Sequence, residues 1–220
     1  MDKSAKIEFN GKSYTFPVIT GSENEEAIDI KNLRSEVGLI TYDPGYKNTG
    51  HCISNITYLD GENGILRYRG YSVDELCQKK SFLEVTYLLI FGDLPSQVQI
   101  DKFQNDIREE SLVDEDLKQI FKSFPKSAHP MGILSSLTSA LTAFNPSSVN
   151  VDSKEEMYGA IVKIMGKFPV LVAWTHRKKQ GLPLDYGDKN LGYVENILKM
   201  MFKQPNEEYV LNPILIKFNE

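Results

Sequence analysis

The sequence is poor in the residues that build metal sites, disulfide frameworks and nucleophilic centres. Its 220 residues include two cysteines, three histidines and one tryptophan. Cys52 and Cys77 are too few for a disulfide framework or a zinc finger, and two isolated thiols are typical of a reducing compartment. A basic excess is also missing, because 30 Asp and Glu outnumber 25 Lys and Arg. We therefore expect no general binding of nucleic acid.

Long apolar runs and targeting signals are missing as well. The longest apolar run lies near Phe82–Phe91, is interrupted by Glu84 and Thr86, and is too short to cross a bilayer. The N-terminal residues have neither the apolar core of a signal peptide nor the Arg-rich character of a transit peptide. These features predict a globular, cytoplasmic protein that makes no membrane contact.

Strands and turns are predicted for residues 1–70. Residues 6–16 alternate apolar and polar side chains around Asn10-Gly11, a pair suited to a tight hairpin. Pro17 is expected to end the second strand. Three further short strands are predicted, over residues 39–42, 52–59 and 64–69. We interpret residues 1–70 as a small antiparallel β-rich region that needs a larger body to pack against.

Helical periodicity replaces the alternation after residue 70. Ser72 and Glu75 have the spacing of a capping box. Pro169 is expected to kink a long helix, and Asp188 is expected to cap a later one. The main helices are predicted over residues 73–79, 82–91, 95–110, 114–124, 131–144 and 154–180. Residues 71–220 thus form the helical part of a mainly α protein.

Few histidines are placed to do chemistry. His51 and Cys52 could form a metal pair, but adjacent residues on a strand point to opposite faces. A loop-to-strand junction is therefore the favoured interpretation. His129 stands just before Pro130 at a helix entrance, where we expect a structural role, with a place in a site as the alternative.

The remaining histidine belongs to a basic cluster. His176 is followed by Arg177-Lys178-Lys179 in the last turn of the longest helix. Cations there complement the helix dipole, and a phosphate site is the alternative interpretation. Trp174 is expected to lie in the core. From these spacings we assign no catalytic, cofactor-binding or metal-ligating residue.

A series of short segments, in order along nearly the whole chain, resembles one protein family. The segments include Thr41-Tyr42-Asp43-Pro44-Gly45-Tyr46, Asp60-Gly61-Glu62-Asn63-Gly64-Ile65-Leu66, Arg69-Gly70-Tyr71, Gly92-Asp93-Leu94-Pro95, His129-Pro130-Met131 and Asn212-Pro213-Ile214-Leu215. They resemble the start of bacterial citrate synthases of the longer, second type. That resemblance implies a mostly helical large domain, of which this chain is a part, and an obligatory homodimer or larger homo-oligomer.

The resemblance also implies an activity. The family is an acyltransferase that condenses oxaloacetate with acetyl-CoA to citrate and CoA in the tricarboxylic acid cycle, and acetyl-CoA is a substrate rather than a cofactor. Its first catalytic histidine belongs to a His-Ala-Asp-His-Glu motif that follows Asn-Pro-Ile-Leu. The printed sequence reaches Glu220 without that motif. We therefore expect the front half of the enzyme, inactive alone, and transfer no catalytic residue to it.

Some family members are inhibited by NADH at a site in this front half. The site uses an arginine and a histidine of one helix, a tyrosine, two further basic residues and a cysteine. The matching positions here are Glu109, Glu110, Asn145, Lys163, Lys167 and Asn206. Only the two lysines keep the character of the site, and the acidic residues would repel a nucleotide phosphate. This comparison argues against NADH regulation.

Two alternatives to a citrate synthase part stay open at this point. One is a part of 2-methylcitrate synthase, a related enzyme that uses propionyl-CoA. The other is a non-catalytic helical oligomerisation module. Self-association is expected in each case, because residues 131–144, 154–180 and 214–218 carry more apolar and small residues than a monomer surface exposes.

Overall fold

The computed structural model describes residues 3–146 and 152–219 and divides into two compact units, Met1–Asn55 and Ile56–Glu220. One small antiparallel sheet lies in the first unit. A second such sheet opens the second unit and is followed by helices. The predicted mainly α fold with a β-rich start is confirmed. The last described strand ends at Ser72 and the long run of helices begins at Val73, whereas the division into units falls before the second sheet.

The predicted hairpin near the N-terminus is confirmed. Strands β1 (Ser4–Phe9) and β2 (Lys12–Thr20) pair antiparallel, and β3 (Glu26–Ile28) pairs with the end of β2. Asn10 and Gly11 form the turn with φ values of 52° and 74°. Positive φ at both central residues is what a tight two-residue hairpin turn requires, and these residue types tolerate it.

Strand β2 continues through Pro17, so the prediction that this proline ends the strand was wrong. Proline cannot donate to a ladder and is tolerated where no donor is needed. The Pro17 carbonyl accepts from the Asp29 N–H at 2.8 Å, just beyond the end of β3 at Ile28. The missing N–H therefore falls at the end of the β2–β3 ladder, where it removes only the bond that would return to Asp29.

The strand predicted over residues 39–42 is absent. A five-residue helix, α1 (Leu33–Val37), ends at Gly38 with φ of 81°, and an irregular segment follows. A turn closes that segment, because Asp43 accepts N–H groups of Lys47 and Asn48 at 3.1 and 2.9 Å. No described strand pairs with residues 39–42, and an extended segment without a partner forms no sheet.

Strands β4 (Thr57–Asp60), β5 (Ile65–Tyr68) and β6 (Tyr71–Ser72) form the second antiparallel sheet. The strand predicted over residues 64–69 is confirmed. The strand predicted over 52–59 begins only at Thr57, because pairing with β5 ends there.

Helices make up most of the rest of the second unit. They are α2 (Val73–Lys79), α3 (Phe82–Phe91), α4 (Gln97–Glu109), α5 (Glu115–Ser123), α6 (Pro130–Phe144), α7 (Lys154–Gln180), α8 (Tyr193–Phe202) and α9 (Pro213–Asn219). The bounds predicted for α3 and α7 agree with the observed ones. Its prediction for α4 began at residue 95 and ended at 110, slightly beyond each observed end.

Two predicted caps were wrong. Ser72 precedes α2 but makes no side-chain cap, and Glu75 accepts from Lys79 at 2.7 Å. Asp188 does not begin α8, since its carboxylate accepts the N–H of Asn190 at 3.0 Å and forms a local turn. A full capping box does form before α3, where Ser81 and Glu84 exchange hydrogen bonds.

Helix α7 joins the two apolar clusters of the second unit. Its first half contributes Val162 to a cluster formed with α3 and α4. Its second half contributes Val170, Leu171 and Trp174 to a larger cluster with α5, α6 and α8. Trp174 is fully buried, as predicted, and its indole N–H donates to the Asp185 carbonyl at 2.8 Å.

The contact between α7 and the end of α4 is unusually close. A Cβ added at Gly166 would lie 2.6 Å from the Ile107 carbonyl oxygen and 2.9 Å from that of Glu110. The next residue, Lys167, is 8% exposed and donates to the Glu110 carbonyl at 2.8 Å. Glycine at this position therefore permits the approach that brings the lysine to the end of α4.

Pro169 lies inside α7 without interrupting it. A proline cannot donate to the carbonyl four residues earlier, which here is that of Met165. The Tyr193 hydroxyl donates to this carbonyl at 3.0 Å, and the Tyr193 ring stacks on Phe82 with centroids 5.7 Å apart. The first turn of α8 thus replaces the bond that Pro169 removes from α7.

Helix α7 is long enough and apolar enough to cross a membrane, whereas the apolar run near Phe82–Phe91 considered above is too short. It has 27 residues, and much of its apolar surface packs in the two clusters. Core helices of globular units meet the same criterion, so this finding is weak evidence for a membrane span.

We predict that Gly166→Ala destabilises the second unit by about 1–3 kcal/mol, because the added methyl group meets backbone atoms of α4 that cannot rotate away. The matched control is Gly159→Ala in the same helix, where no atom lies within 4 Å of the added Cβ. That control is expected to stabilise the helix by up to about 1 kcal/mol. Urea unfolding followed by circular dichroism measures both, and equal stability of the two variants would contradict the close contact.

We predict that Tyr193→Phe lowers the free energy of unfolding by about 1–2 kcal/mol, since the buried Met165 carbonyl loses its donor. The loss should shrink in a Pro169→Ala background, where residue 169 regains an N–H for that carbonyl. Tyr71→Phe is the control, because the Tyr71 hydroxyl makes no hydrogen bond with the described residues. If Tyr193→Phe lowers the free energy of unfolding equally with Pro169 present and in the Pro169→Ala background, the Tyr193 hydroxyl does not replace the helical hydrogen bond that Pro169 lacks.

Candidate functional site

The structure does not bring His51 and Cys52 into a metal site. Both are exposed in the irregular segment before β4, and the His51 ring lies 5.9 Å from the Tyr46 ring. Among the residues that the structure describes, no three His, Cys, Asp or Glu side chains lie close enough to hold a metal ion. The favoured interpretation of a junction segment fits this placement.

His129 is the N-cap of α6. Its Nδ1 accepts the Met131 N–H at 3.2 Å, and Pro130 occupies the first helical position. The ring nitrogen satisfies one of the N–H groups that a helix start leaves without an intrahelical partner. This contact supports the structural role expected from the sequence.

Arg177, in the basic cluster, is buried and structural. It is 3% exposed and donates to three carbonyls, those of Pro183, Met200 at 3.1 Å and Lys203 at 2.8 Å. Two of these carbonyls belong to the C-terminal end of α8, where a cation complements the helix dipole. The guanidinium is therefore engaged with main-chain acceptors and is not presented to a phosphate.

The neighbours of Arg177 point to different partners. Lys178 donates to the Phe121 and Lys122 carbonyls at the end of α5, at 2.8 and 3.1 Å. Burial lowers the pKa of Lys178. His176 lies edge-on to Phe202 with centroids 5.4 Å apart. The cluster is thus divided among separate packing contacts, which supports the dipole interpretation over a phosphate site.

Half of the positions compared with the family's NADH site come together. A cavity of about 240 Å³ is lined by Asn145 and Lys167, and Lys167 forms an ion pair with Glu110 at 3.3 Å. Glu110 contacts Lys167 without lining the cavity, and Glu109, Lys163 and Asn206 do not line it either. The other lining residues are Asp114 and four apolar residues, Leu112, Val113, Leu141 and Phe144.

The charge of Lys167 at this cavity is already compensated. Its Nζ lies between the Glu110 carboxylate and the Glu110 carbonyl at the end of α4. Glu109 is also paired, with Lys189 at 2.9 Å. Asn145 donates to the Leu141 carbonyl at 3.1 Å and closes the end of α6. These contacts support the expectation that a nucleotide phosphate finds little positive charge here.

Sequence reasoning missed a polar cluster that joins α4 to α7. The Tyr158 hydroxyl donates to Asp106 at 2.6 Å, and Lys102 pairs with the same carboxylate and lies over the Tyr158 ring. Burial acts to raise the pKa of Asp106, but the hydrogen bonds from Lys102 and Tyr158 outweigh it, and that pKa is lowered. Burial and the Asp106 contact raise the pKa of Tyr158. In the sequence, the only indication of this cluster is the spacing of four residues between Lys102 and Asp106, which favours an ion pair on one helix.

Tyr193 is a second residue that the sequence did not single out. Burial raises the pKa of its hydroxyl, which stays protonated as the donor to Met165. Nothing in its sequence neighbourhood reveals the partner, because Met165 lies 28 residues away along the chain.

Comparison with known proteins gives consistent matches. Residues 45–217 match the family model described as citrate synthase, C-terminal domain. The chain is 41% identical over 216 residues to the citrate synthase of Corynebacterium glutamicum, which covers 98% of this chain and 49% of that protein. The chain therefore spans about half the length of the curated relative that it matches.

Solved structures share the fold. The citrate synthase of Pyrobaculum aerophilum matches with a TM-score of 0.69 and 23% identity, over 98% of this chain and 49% of that one. The Thermoplasma acidophilum citrate synthase, solved as a ternary complex with carboxymethyl coenzyme A and oxaloacetate, matches with a TM-score of 0.67 and 19% identity, over 73% and 42%. From the family model and the close relative together, we conclude that this chain belongs to the citrate synthase family.

Proposed function

We propose that this polypeptide forms the first half of a citrate synthase, the acyltransferase that condenses oxaloacetate with acetyl-CoA to citrate and CoA. The observation that carries the proposal is the 41% identity to a citrate synthase across 98% of this chain. The ternary complex of the Thermoplasma relative supports the same pair of substrate classes. The alternative of a 2-methylcitrate synthase part is not favoured, because the matched relative is a citrate synthase.

The half described here supplies scaffold. Its charged side chains are used in packing, as Arg177, Lys178 and Lys167 illustrate. Condensation requires a base that removes a proton from the acetyl methyl group and donors that stabilise the developing enolate oxygen. The family supplies these groups from the His-Ala-Asp-His-Glu motif and later segments, which this sequence does not contain. We propose no cofactor, since acetyl-CoA is a substrate.

We also propose self-association, as a homodimer or a larger homo-oligomer. Large apolar side chains are exposed on α6, α7 and α9, and their exposed fractions are 62% for Met131, 46% for Ile164, 38% for Phe168 and 86% for Phe218. Apolar surface in contiguous patches is stabilised by burial in an interface, at roughly 25 cal/mol per Å². A cytoplasmic location is proposed as well, because Cys52 and Cys77 are free and exposed thiols.

We predict that the 220-residue chain alone gives no CoA release from acetyl-CoA and oxaloacetate, because it lacks the acid–base groups of the reaction. Activity should appear when the chain is coexpressed with the second half of the Corynebacterium glutamicum citrate synthase. A thiol-release assay measures both. Turnover by the purified chain alone, at a rate proportional to its concentration, would contradict the proposed division of labour.

The same assay discriminates the helical-module alternative. Coexpressed halves that copurify but remain inactive would favour a structural module over a part of the enzyme. The second half expressed by itself is the control, since any activity that it shows alone must be subtracted.

We predict that light scattering across a dilution series finds a dimer or larger species that dissociates on dilution. Phe168→Glu and Ile164→Glu should each weaken the association, because a charge placed in an apolar interface is costly to desolvate. Lys154→Glu, an exposed change in the same helix, is the control. A monomer of about 25 kDa at every concentration, with a cooperative thermal transition, would contradict the prediction.

A further inference from the structure

A second cavity shares no lining residue with the one that Lys167 lines. It has a volume of about 150 Å³ and is bounded by α3, α4, α7 and α8. All of its lining residues belong to the second unit. None of the positions compared with the NADH site lines it, so it is independent of the function proposed above.

The inner wall of this cavity is apolar and deeply buried. Leu83, Ile107, Val170 and Met200 line it and are 5%, 3%, 2% and 1% exposed. Rigid apolar walls of this kind hold a compact hydrocarbon body, and a cavity of about 150 Å³ is large enough for one aromatic ring. A nucleotide or a coenzyme is too large for it, because sites for such ligands have volumes of several hundred Å³ or more.

The outer wall is polar and carries donors. Gln104, Arg108 and Asn196 line it, and the lining includes no acidic side chain in the part of the chain that the structure describes. Arg108 donates to the neutral Asn105 amide at 3.0 Å and has no carboxylate partner among the described residues. A guanidinium has five N–H donors and pairs well with a carboxylate.

The hydroxyl of Tyr193 is not available to a ligand. It also lines the cavity, but it donates to the Met165 carbonyl, so its ring is the part that a ligand would contact. The exposed neighbours Phe82 and Gly192 place the opening of the cavity beside α8. An apolar interior with donors and one cation towards solvent fits a ligand with an apolar body and an anionic end.

We propose that this cavity binds a small monocarboxylate with a compact apolar body of about the size of benzoate. The apolar body occupies the space among Leu83, Ile107 and Val170, and the carboxylate accepts from Arg108 and Gln104. A neutral ligand of the same shape gains only the apolar contacts, and a cationic one is repelled by Arg108.

The test uses the full chain and sodium benzoate as the probe. Methyl resonances of Leu83, Val170 and Val194 report on the cavity in two-dimensional NMR, and thermal unfolding reports on the stability gained by binding. At about 10 mM, a concentration suited to a ligand of so few atoms, benzoate should shift these resonances saturably and raise the melting temperature. Benzyl alcohol should bind more weakly, and benzylamine and acetate should leave the resonances unchanged.

Two variants separate the charge from the cavity. Arg108→Met should weaken benzoate binding by about tenfold while leaving benzyl alcohol binding unchanged, because only the charge-assisted hydrogen bond is removed. Arg34→Met, an exposed arginine of the first unit, is the matched control and should bind benzoate as the original chain does. Absence of saturable shifts with benzoate, equal shifts with benzylamine, or unchanged binding by Arg108→Met would each overturn the proposal.

Discussion

The carbonyl groups at the C-terminal ends of helices need hydrogen-bond donors, and α7 supplies them to three other helices. Lys167 donates to the end of α4, Lys178 to the end of α5 and Arg177 to the end of α8. Each of these cations also compensates the negative end of the helix that it touches. The arrangement of the second unit depends on α7, because its side chains hold the C-terminal ends of α4, α5 and α8 against it.

That arrangement explains why Lys167, Arg177 and Lys178 are engaged with main-chain carbonyls and are not presented to a ligand. Lys167 reaches the end of α4 only because Gly166 lets the two backbones approach. Buried cations without such acceptors would be costly to desolvate, so their donors are committed to carbonyls. This use of charged groups supports the scaffold role proposed above.

Local sequence signals predicted what local physics decides. The Asn10-Gly11 turn and the bounds of α3 and α7 were predicted correctly, because each depends on residues that are neighbours along the chain. Some of the wrong predictions concern features that depend on a distant partner, as residues 39–42 find no strand to pair with. Others arise where two local arrangements compete, as Asp188 accepts the N–H of Asn190 instead of opening α8.

The candidate sites were harder to predict for the same reason. A run such as Arg177-Lys178-Lys179 has the same appearance whether its side chains bind a phosphate or donate to the carbonyls at the ends of two neighbouring helices. Only the fold brings Lys178 to Phe121, 57 residues earlier, and Tyr193 to Met165, 28 residues earlier. The family resemblance indicated which residues match the NADH site, but the ion pair between Lys167 and Glu110 is evident only from the folded structure.

The position of Pro169 has a consequence for how the second unit opens. It lies between the stretch of α7 that packs with α3 and α4 and the stretch that packs with α5, α6 and α8. Pro169 has no N–H to donate to the Met165 carbonyl, so the helical hydrogen bond between these two residues is missing. The Tyr193 hydroxyl of α8 donates to that carbonyl instead. We therefore expect the two apolar clusters to unfold separately, so that native-state hydrogen exchange divides α7 into two segments with different protection on either side of the proline.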